Sequence, residues 1–265
     1  MMRWLGGLLA CLCFCACSGP QSLLPANGPQ TADDVLTRAL ARPLPKTAQG
    51  MARLDAYMKG ERRSVDMIVI LAMPNAVQMQ AVSPTLDMLA VMATDGKRFV
   101  SFERGGEKCL IGDACPRNMA RLVPIALSPE QLTPALLGRP PVLDLPEKRL
   151  EWDGKRELYV VTLGIDAGTH QQVFVSPKDF RIVGTVLFEK TERVASIEYI
   201  DGDRIPKTLR YKAKDTDVTV TMRTIDLDLP ADVEAFALPC PSGMLQVEMP
   251  CVDPQPLPEA RQKTP

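Results

Sequence analysis

From Val65 to Met73 every second residue is apolar, in the order Val65, Met67, Val69, Leu71 and Met73. A period of two sets those side chains on one face of a β-strand. Ile68 and Ile70 make the other face apolar as well, so the middle of this strand is expected to be covered on both sides. Val77, Met79 and Ala81 then alternate with Gln78 and Gln80, and a strand over 86–94 carries Leu86, Met88, Ala90 and Met92. Asp95-Gly96, a hairpin signal between apolar runs, leads on to Phe99, Val100 and Phe102. A second series of runs covers 157–165, 173–175, 182–188, 194–200 and 209–213, with Asp153-Gly154 and Asp201-Gly202 as further turn pairs. Near its end the apolar phase moves from Val218, Val220 and Met222 to Ile225, Leu227 and Leu229. A one-residue slip turns the side chains to the opposite face, so a bulge or bend is expected near Arg223-Thr224. The chain should therefore be mainly β.

Two stretches break the period. Thr31-Ala32-Asp33-Asp34 opens a helix whose acidic first turn suits the positive end of the helix dipole. Val35, Leu36, Ala39 and Leu40 share one face of it, and Pro43 and Pro45 end it. Residues 116–146 lack strand character. Within them Ser128-Pro129-Glu130-Gln131 has the N-cap, first-turn proline and third-position Gln of a helix start, and Gly138 stops that helix. Arg139-Pro140-Pro141 reads as an extended linker.

Residues 1–16 read as an export signal. Arg3 precedes an apolar run from Trp4 to Ala16, too short for the ~20 residues that a bilayer span needs. The segment resembles a bacterial lipoprotein signal, in which the cysteine after the cleaved bond is acylated. Phe14-Cys15-Ala16-Cys17 places the anchor on Cys17, although Phe14 stands where that box usually has Leu. Leu8-Leu9-Ala10-Cys11 matches the box better but leaves a very short apolar core, so Cys11 is the alternative. The resemblance implies several acyl chains and hence stable attachment. Ser18 after the anchor resembles outer-membrane sorting, with the protein facing the periplasm. Residues 17–31 would form a flexible tether, 32–252 a single domain and 253–265 a disordered polar tail.

Export places Cys109, Cys115, Cys240 and Cys251 in an oxidising compartment, where an even count suggests disulfides. Neighbour pairing, Cys109–Cys115 and Cys240–Cys251, is the expectation, with other pairings left open. Neither pair has the short spacing of structural zinc ligands, so no metal is expected. The 31 Lys and Arg against 32 Asp and Glu give a net charge of −1, without the basic surplus that nucleic acid binding needs. The single histidine, His170, falls in an expected loop. No nucleophile elbow, zinc-helix motif, phosphate loop or dinucleotide fingerprint occurs, so neither a catalytic set nor a cofactor is expected.

The strands are rich in methionine: Met58, Met67, Met73, Met79, Met88 and Met92 precede Asp95-Gly96. Methionine adapts to irregular apolar shapes, so such a face suits a floppy acyl chain as well as it fills a core. The candidate lining is Met67, Val69, Leu71, Met79, Met88, Met92, Val100 and Phe102, with segment 118–138 over it.

A first helix, a meander of strands, helices midway and a second meander resemble the LolA and LolB lipoprotein-carrier fold. The pieces that carry the resemblance are the stretch from Ser128 to Gly138, ending Leu136-Leu137-Gly138, and the stretch from Leu229 to Pro239, with Phe236 near its close. The resemblance spans about Ala32 to Gly243 and implies a strongly curved antiparallel half-barrel sheet around an apolar cavity under a helical lid. It also implies a carrier or acceptor of lipoproteins or lipids, with acyl chains and the membrane as partners. In LolB-like proteins an exposed leucine on a hairpin helps delivery. Ser83-Pro84-Thr85-Leu86 occupies a comparable place, although Leu86 could instead simply start the next strand. The alternative function is a non-catalytic protein-binding or sensory module for envelope assembly.

Overall fold

The computed structural model describes residues 23–58, 60–121, 123–165 and 168–251. Helix α1 (Ala32–Ala41) comes first. Strands β1 (Thr47–Met58), β2 (Glu61–Ala72), β3 (Ala76–Val82), β4 (Met88–Thr94), β5 (Arg98–Glu103) and β6 (Lys108–Asp113) follow as a meander. Helices α2 (Pro116–Met119) and α3 (Pro129–Leu136) occupy the middle. A second meander runs through β7 (Lys148–Asp153), β8 (Leu158–Leu163), β9 (Thr169–Val175), β10 (Ile182–Glu189), β11 (Glu192–Ile200), β12 (Thr208–Ala213) and β13 (Thr216–Leu227). A 3-10 turn (Val233–Phe236) and β14 (Leu245–Met249) close the described chain.

All these strands form one sheet in the order β14-β6-β5-β4-β3-β2-β1-β13-β12-β11-β10-β9-β8-β7. The two meanders join where β1 pairs antiparallel with β13, and the sheet stays open, with β14 and β7 as its edges. The pairing of β14 with β6 is parallel, so the sheet is mixed rather than antiparallel throughout. Strands β6, β7 and β14 carry little clean alternation because each is short and lies at or next to an edge.

Local chemistry explains the elements. Thr31 caps α1, its hydroxyl accepting from the Asp34 amide at 3.2 Å. Ser128 and Gln131 form the capping box of α3, the Ser128 amide donating to the Gln131 side chain at 3.2 Å. Met51 pairs with Thr224 and Ala52 with Met222, which leaves Arg223 as the extra residue of a bulge. That is where the apolar phase slips, so the bulge keeps both halves of β13 in register with β1.

Three sequence expectations change. Residue 86 belongs to a turn, and the strand begins at Met88. His170 lies in β9, stacked on Phe188 at 4.6 Å, instead of in a loop, because β9 extends four residues earlier than its apolar run. The expected tether is packed at its end: Leu24 joins the core beside α1, and a Cβ at Gly28 would lie 1.9 Å from the Tyr159 hydroxyl. Residues 1–22 and 252–265 lie outside the described residues, and with them the signal, Cys17 and the tail.

Candidate functional site

Buried side chains fill one face of the sheet in two clusters. In the first, β1 supplies Ala48, Ala52 and Leu54, β2 supplies Met67, Val69 and Leu71, and β3 and β4 supply Met79 and Met92. The second cluster packs Val35, Leu36 and Ala39 of α1 on Tyr159, Val161, Leu163 and Val173. The cross-strand register makes the two clusters neighbours: Thr185 pairs with Val173 on one side and with Ile197 on the other.

Over the first cluster lies the middle segment. Its Met119, Val123, Ile125, Leu132, Leu136 and Leu137 are all buried against the sheet. This cover has little regular structure of its own, a four-residue helix and an eight-residue helix, and Pro134 inside α3 cannot donate a backbone hydrogen bond. The Tyr199 hydroxyl donates to the Ala135 carbonyl oxygen at 2.8 Å, a buried bond between sheet and cover. Burial holds the Tyr199 phenol well above the ordinary tyrosine range. The Thr133 hydroxyl is buried with no hydrogen-bond partner among the described residues.

Of the eight candidate lining residues, Met67, Val69, Leu71, Met79 and Met92 come together under this cover. Their side chains are packed together, each 0–1% exposed. Val100 and Phe102 belong to the opposite face. Val100 pairs with Ala93 and packs with Cys109, beneath Leu238, Cys240 and Met244 of the C-terminal arm. Phe99 takes the place expected of them, because β5 presents its odd residues to the cover. The run Phe99-Val100 is apolar on both faces, so its phase could not be read from hydrophobicity. Met88 stands opposite Val82 beside the register shift at Leu89, half-buried and outside the core clusters. Tyr199 and the small β1 residues Ala48 and Ala52 were not singled out by sequence, since alanine carries a weak apolar signal.

Leu86 is an exposed turn residue, 58% accessible, with a left-handed backbone at φ 64°. Ser83, Thr85 and Asp87 hold the turn: the Thr85 hydroxyl donates to Asp87 at 2.7 Å, and the Thr85 and Asp87 amides donate to the Ser83 hydroxyl. The Thr85 bond, with Arg104 beside it, draws the Asp87 carboxyl below its ordinary value. Leu89 is exposed too, so the β3–β4 hairpin end carries two apolar side chains in solvent.

The cysteines form two bridges in a pairing unlike the neighbour expectation: Cys109–Cys240 and Cys115–Cys251. The arm that follows β13 runs back across the sheet face opposite the cover, which places Cys240 over Cys109 of β6. It then adds β14 beside β6 and brings Cys251 to Cys115, the N-cap of α2. Sequence proximity failed as a guide because a parallel edge strand returns from more than a hundred residues away. Among the described residues no cluster of three His, Cys, Asp or Glu is placed to hold a metal.

No family model and no curated protein matches the sequence. Solved structures do match. A DUF1329 family protein of Desulfovibrio piger superposes with a TM-score of 0.51 at 10% identity, covering 77% of this chain and 95% of that one. A domain described as an outer membrane lipoprotein-sorting protein, from Vibrio parahaemolyticus, gives 0.50 at 8% identity over 78% and 97%. A LolA superfamily protein of Nitrosomonas europaea gives 0.48 at 12% identity over 76% and 95%. The chain shares its fold with the Desulfovibrio protein and the Vibrio domain. At such identities the likeness establishes the fold of the chain and leaves its ligand to its own residues. The two disulfides and the parallel β14 are what this chain builds at its edge.

Proposed function

We propose that this chain is a membrane-anchored envelope lipoprotein that binds acyl chains, acting as carrier or acceptor for lipoproteins or lipids at the outer membrane. The observation that carries this reading is the methionine-rich face of β2, β3 and β4, covered by a proline-punctuated segment of short helices. In this reading the sheet curves around that face and segment 118–138 is the lid. An acyl chain enters as the lid moves aside, and adaptable methionines refit to it. Each buried CH₂ gains ~0.8 kcal/mol, so a contact of about ten carbons offers roughly 8 kcal/mol against the packing the lid gives up. Cys17 carries the anchor, and Leu86 at the exposed hairpin end touches the membrane during delivery. The fold shared with a lipoprotein-sorting domain supports this reading.

The packed state of the face favours one alternative, a non-catalytic module for envelope assembly that binds a protein partner and no lipid. Titration of a fluorescent fatty acid into the delipidated protein separates the two. Saturable binding that Val69→Asp abolishes, with the far-UV spectrum unchanged, supports the carrier. Absence of saturable binding overturns it. Loss of the fold in Val69→Asp would shift the test to Leu136→Asp, which charges the lid rather than a strand.

A further inference from the structure

Four arginines from four elements line one narrow cleft where the ends of α1 and α3 meet the start of β10 and the β11–β12 loop. Arg42 follows α1, Arg139 follows α3, Arg181 precedes β10 and Arg204 lies in the loop. Two of them have carboxylate partners: Arg181 with Asp179 at 3.6 Å and Arg204 with Asp228 at 2.5 Å. Arg139 donates to the carbonyl oxygen of Arg42, and Arg181 to that of Gly202. Among the described residues no ion pair reaches Arg42 or Arg139, and both are half-buried. Burial, and then the charge of Arg42, pushes the Arg139 guanidinium below the ordinary arginine value. Like charges held together in a partly dry cleft repel, and a bound anion relieves that repulsion.

The rest of the cleft wall is apolar. It includes Leu44, Leu137 and Ile205, which belong to or pack on the cluster that contains Met67 and Met92. The cleft holds about 20 Å³, room for one water-sized group. An anion bound there would sit at its mouth with one oxygen inward. A phosphate has enough oxygens to engage two arginines at once, each through paired N–H donors.

We propose that this arginine cleft binds the phosphate of an amphiphilic ligand whose apolar part enters the face beneath α3. The proposal rests on the carrier reading and makes the ligand a phospholipid-like anion. Asp228 pairs with Arg204, and Asp179 pairs with Arg181 and also feels the charge of Arg42, so two carboxylates stand against four guanidiniums and positive charge remains for the ligand.

The test uses the full-length protein in a neutral detergent and three probes: a short-chain phosphatidic acid, the diacylglycerol with the same chains, and inorganic phosphate. Phosphatidic acid is expected to bind about tenfold or more tighter than diacylglycerol, as charge-assisted hydrogen bonds allow. Arg42→Gln should shrink that difference without changing diacylglycerol binding. Arg139 is left in place because it holds the carbonyl at the end of α1. Displacement of phosphatidic acid by inorganic phosphate would show that the phosphate group alone is recognised. Failure to displace it would show that recognition requires the lipid. Equal binding of the two lipids overturns the proposal and leaves the carrier reading standing. Phosphate binding without lipid binding keeps the arginine site but overturns its link to an acyl chain, and the carrier reading falls with that link. No binding of any probe overturns both.

Discussion

Cys115, the N-cap of α2 at the start of the covering segment, is bonded to Cys251, 136 residues further along the chain. The same arm is bonded at Cys240 to Cys109 of β6. One C-terminal arm thus fastens both the edge of the sheet and the root of the cover. The cover is fixed at one end by a covalent bond and further along by the weaker contact of Tyr199 with Ala135.

Peptide mapping without reductant should recover Cys109 linked to Cys240 and Cys115 linked to Cys251. Either bridge alone closes a loop of more than a hundred residues, but with the other intact it closes only the short stretches 109–115 and 240–251, which the chain-entropy model values at about 3 kcal/mol. Replacing both cysteines of one bridge by serine should lower the unfolding free energy by roughly 2–5 kcal/mol in a denaturant titration. Peptides joining Cys109 to Cys115 would contradict the arm described above.

Leu86→Gly separates stability from membrane contact. The left-handed backbone at φ 64° costs a branched residue about 1 kcal/mol, which glycine avoids. The variant should be as stable as the parent or slightly more so in thermal unfolding, while transfer of a labelled acyl ligand to vesicles slows. Unchanged transfer would remove Leu86 from the delivery role.

Leu136→Ala tests how firmly the cover is seated. Leu136 is fully buried, so truncation should destabilise by about 2–4 kcal/mol if the cover unfolds together with the sheet. A much smaller loss, with faster hydrogen exchange confined to 116–138, would show that the cover opens by itself.

Alkaline pH should destabilise the fold. Burial raises the phenol of Tyr199 strongly and that of Tyr211 in the same direction. A group with a raised folded-state value contributes stability that is fully present below its unfolded value, near 10 for tyrosine, and is lost as pH rises above it. The urea midpoint should therefore hold steady up to about pH 9 and fall as the pH passes 10. Tyr199→Phe should weaken that fall. It should also cost about 0.5–1.5 kcal/mol at neutral pH, because one buried bond is lost while the Ala135 carbonyl keeps the Gly138 amide as donor.

The strands with strict alternation were readable from residues alone: β2, β3 and β13 lie where the period places them, and the phase slip at Arg223 marks a real bulge. Capping chemistry fixed the starts of α1 and α3. The hidden features depend on contacts between distant segments. Nothing local in Leu245–Met249 says that it will pair parallel with β6, and that pairing decides which cysteines meet. Phe99-Val100 offers apolar groups to both faces, so only the register with Thr94 and Ala93 tells which one meets the cover. The arginine cleft gathers residues 42, 139, 181 and 204, each of which reads as an ordinary surface charge in isolation.

The central claim is that the face under 119–137 holds an acyl chain. The most direct measurement is mass spectrometry of an organic extract from the full-length protein, purified from its own membranes and set against a matched extract of Val69→Asp. The carrier account predicts lipid in near-stoichiometric amount with the native protein and a large loss of it in the variant. An extract free of lipid, or the same lipid in both, would contradict it.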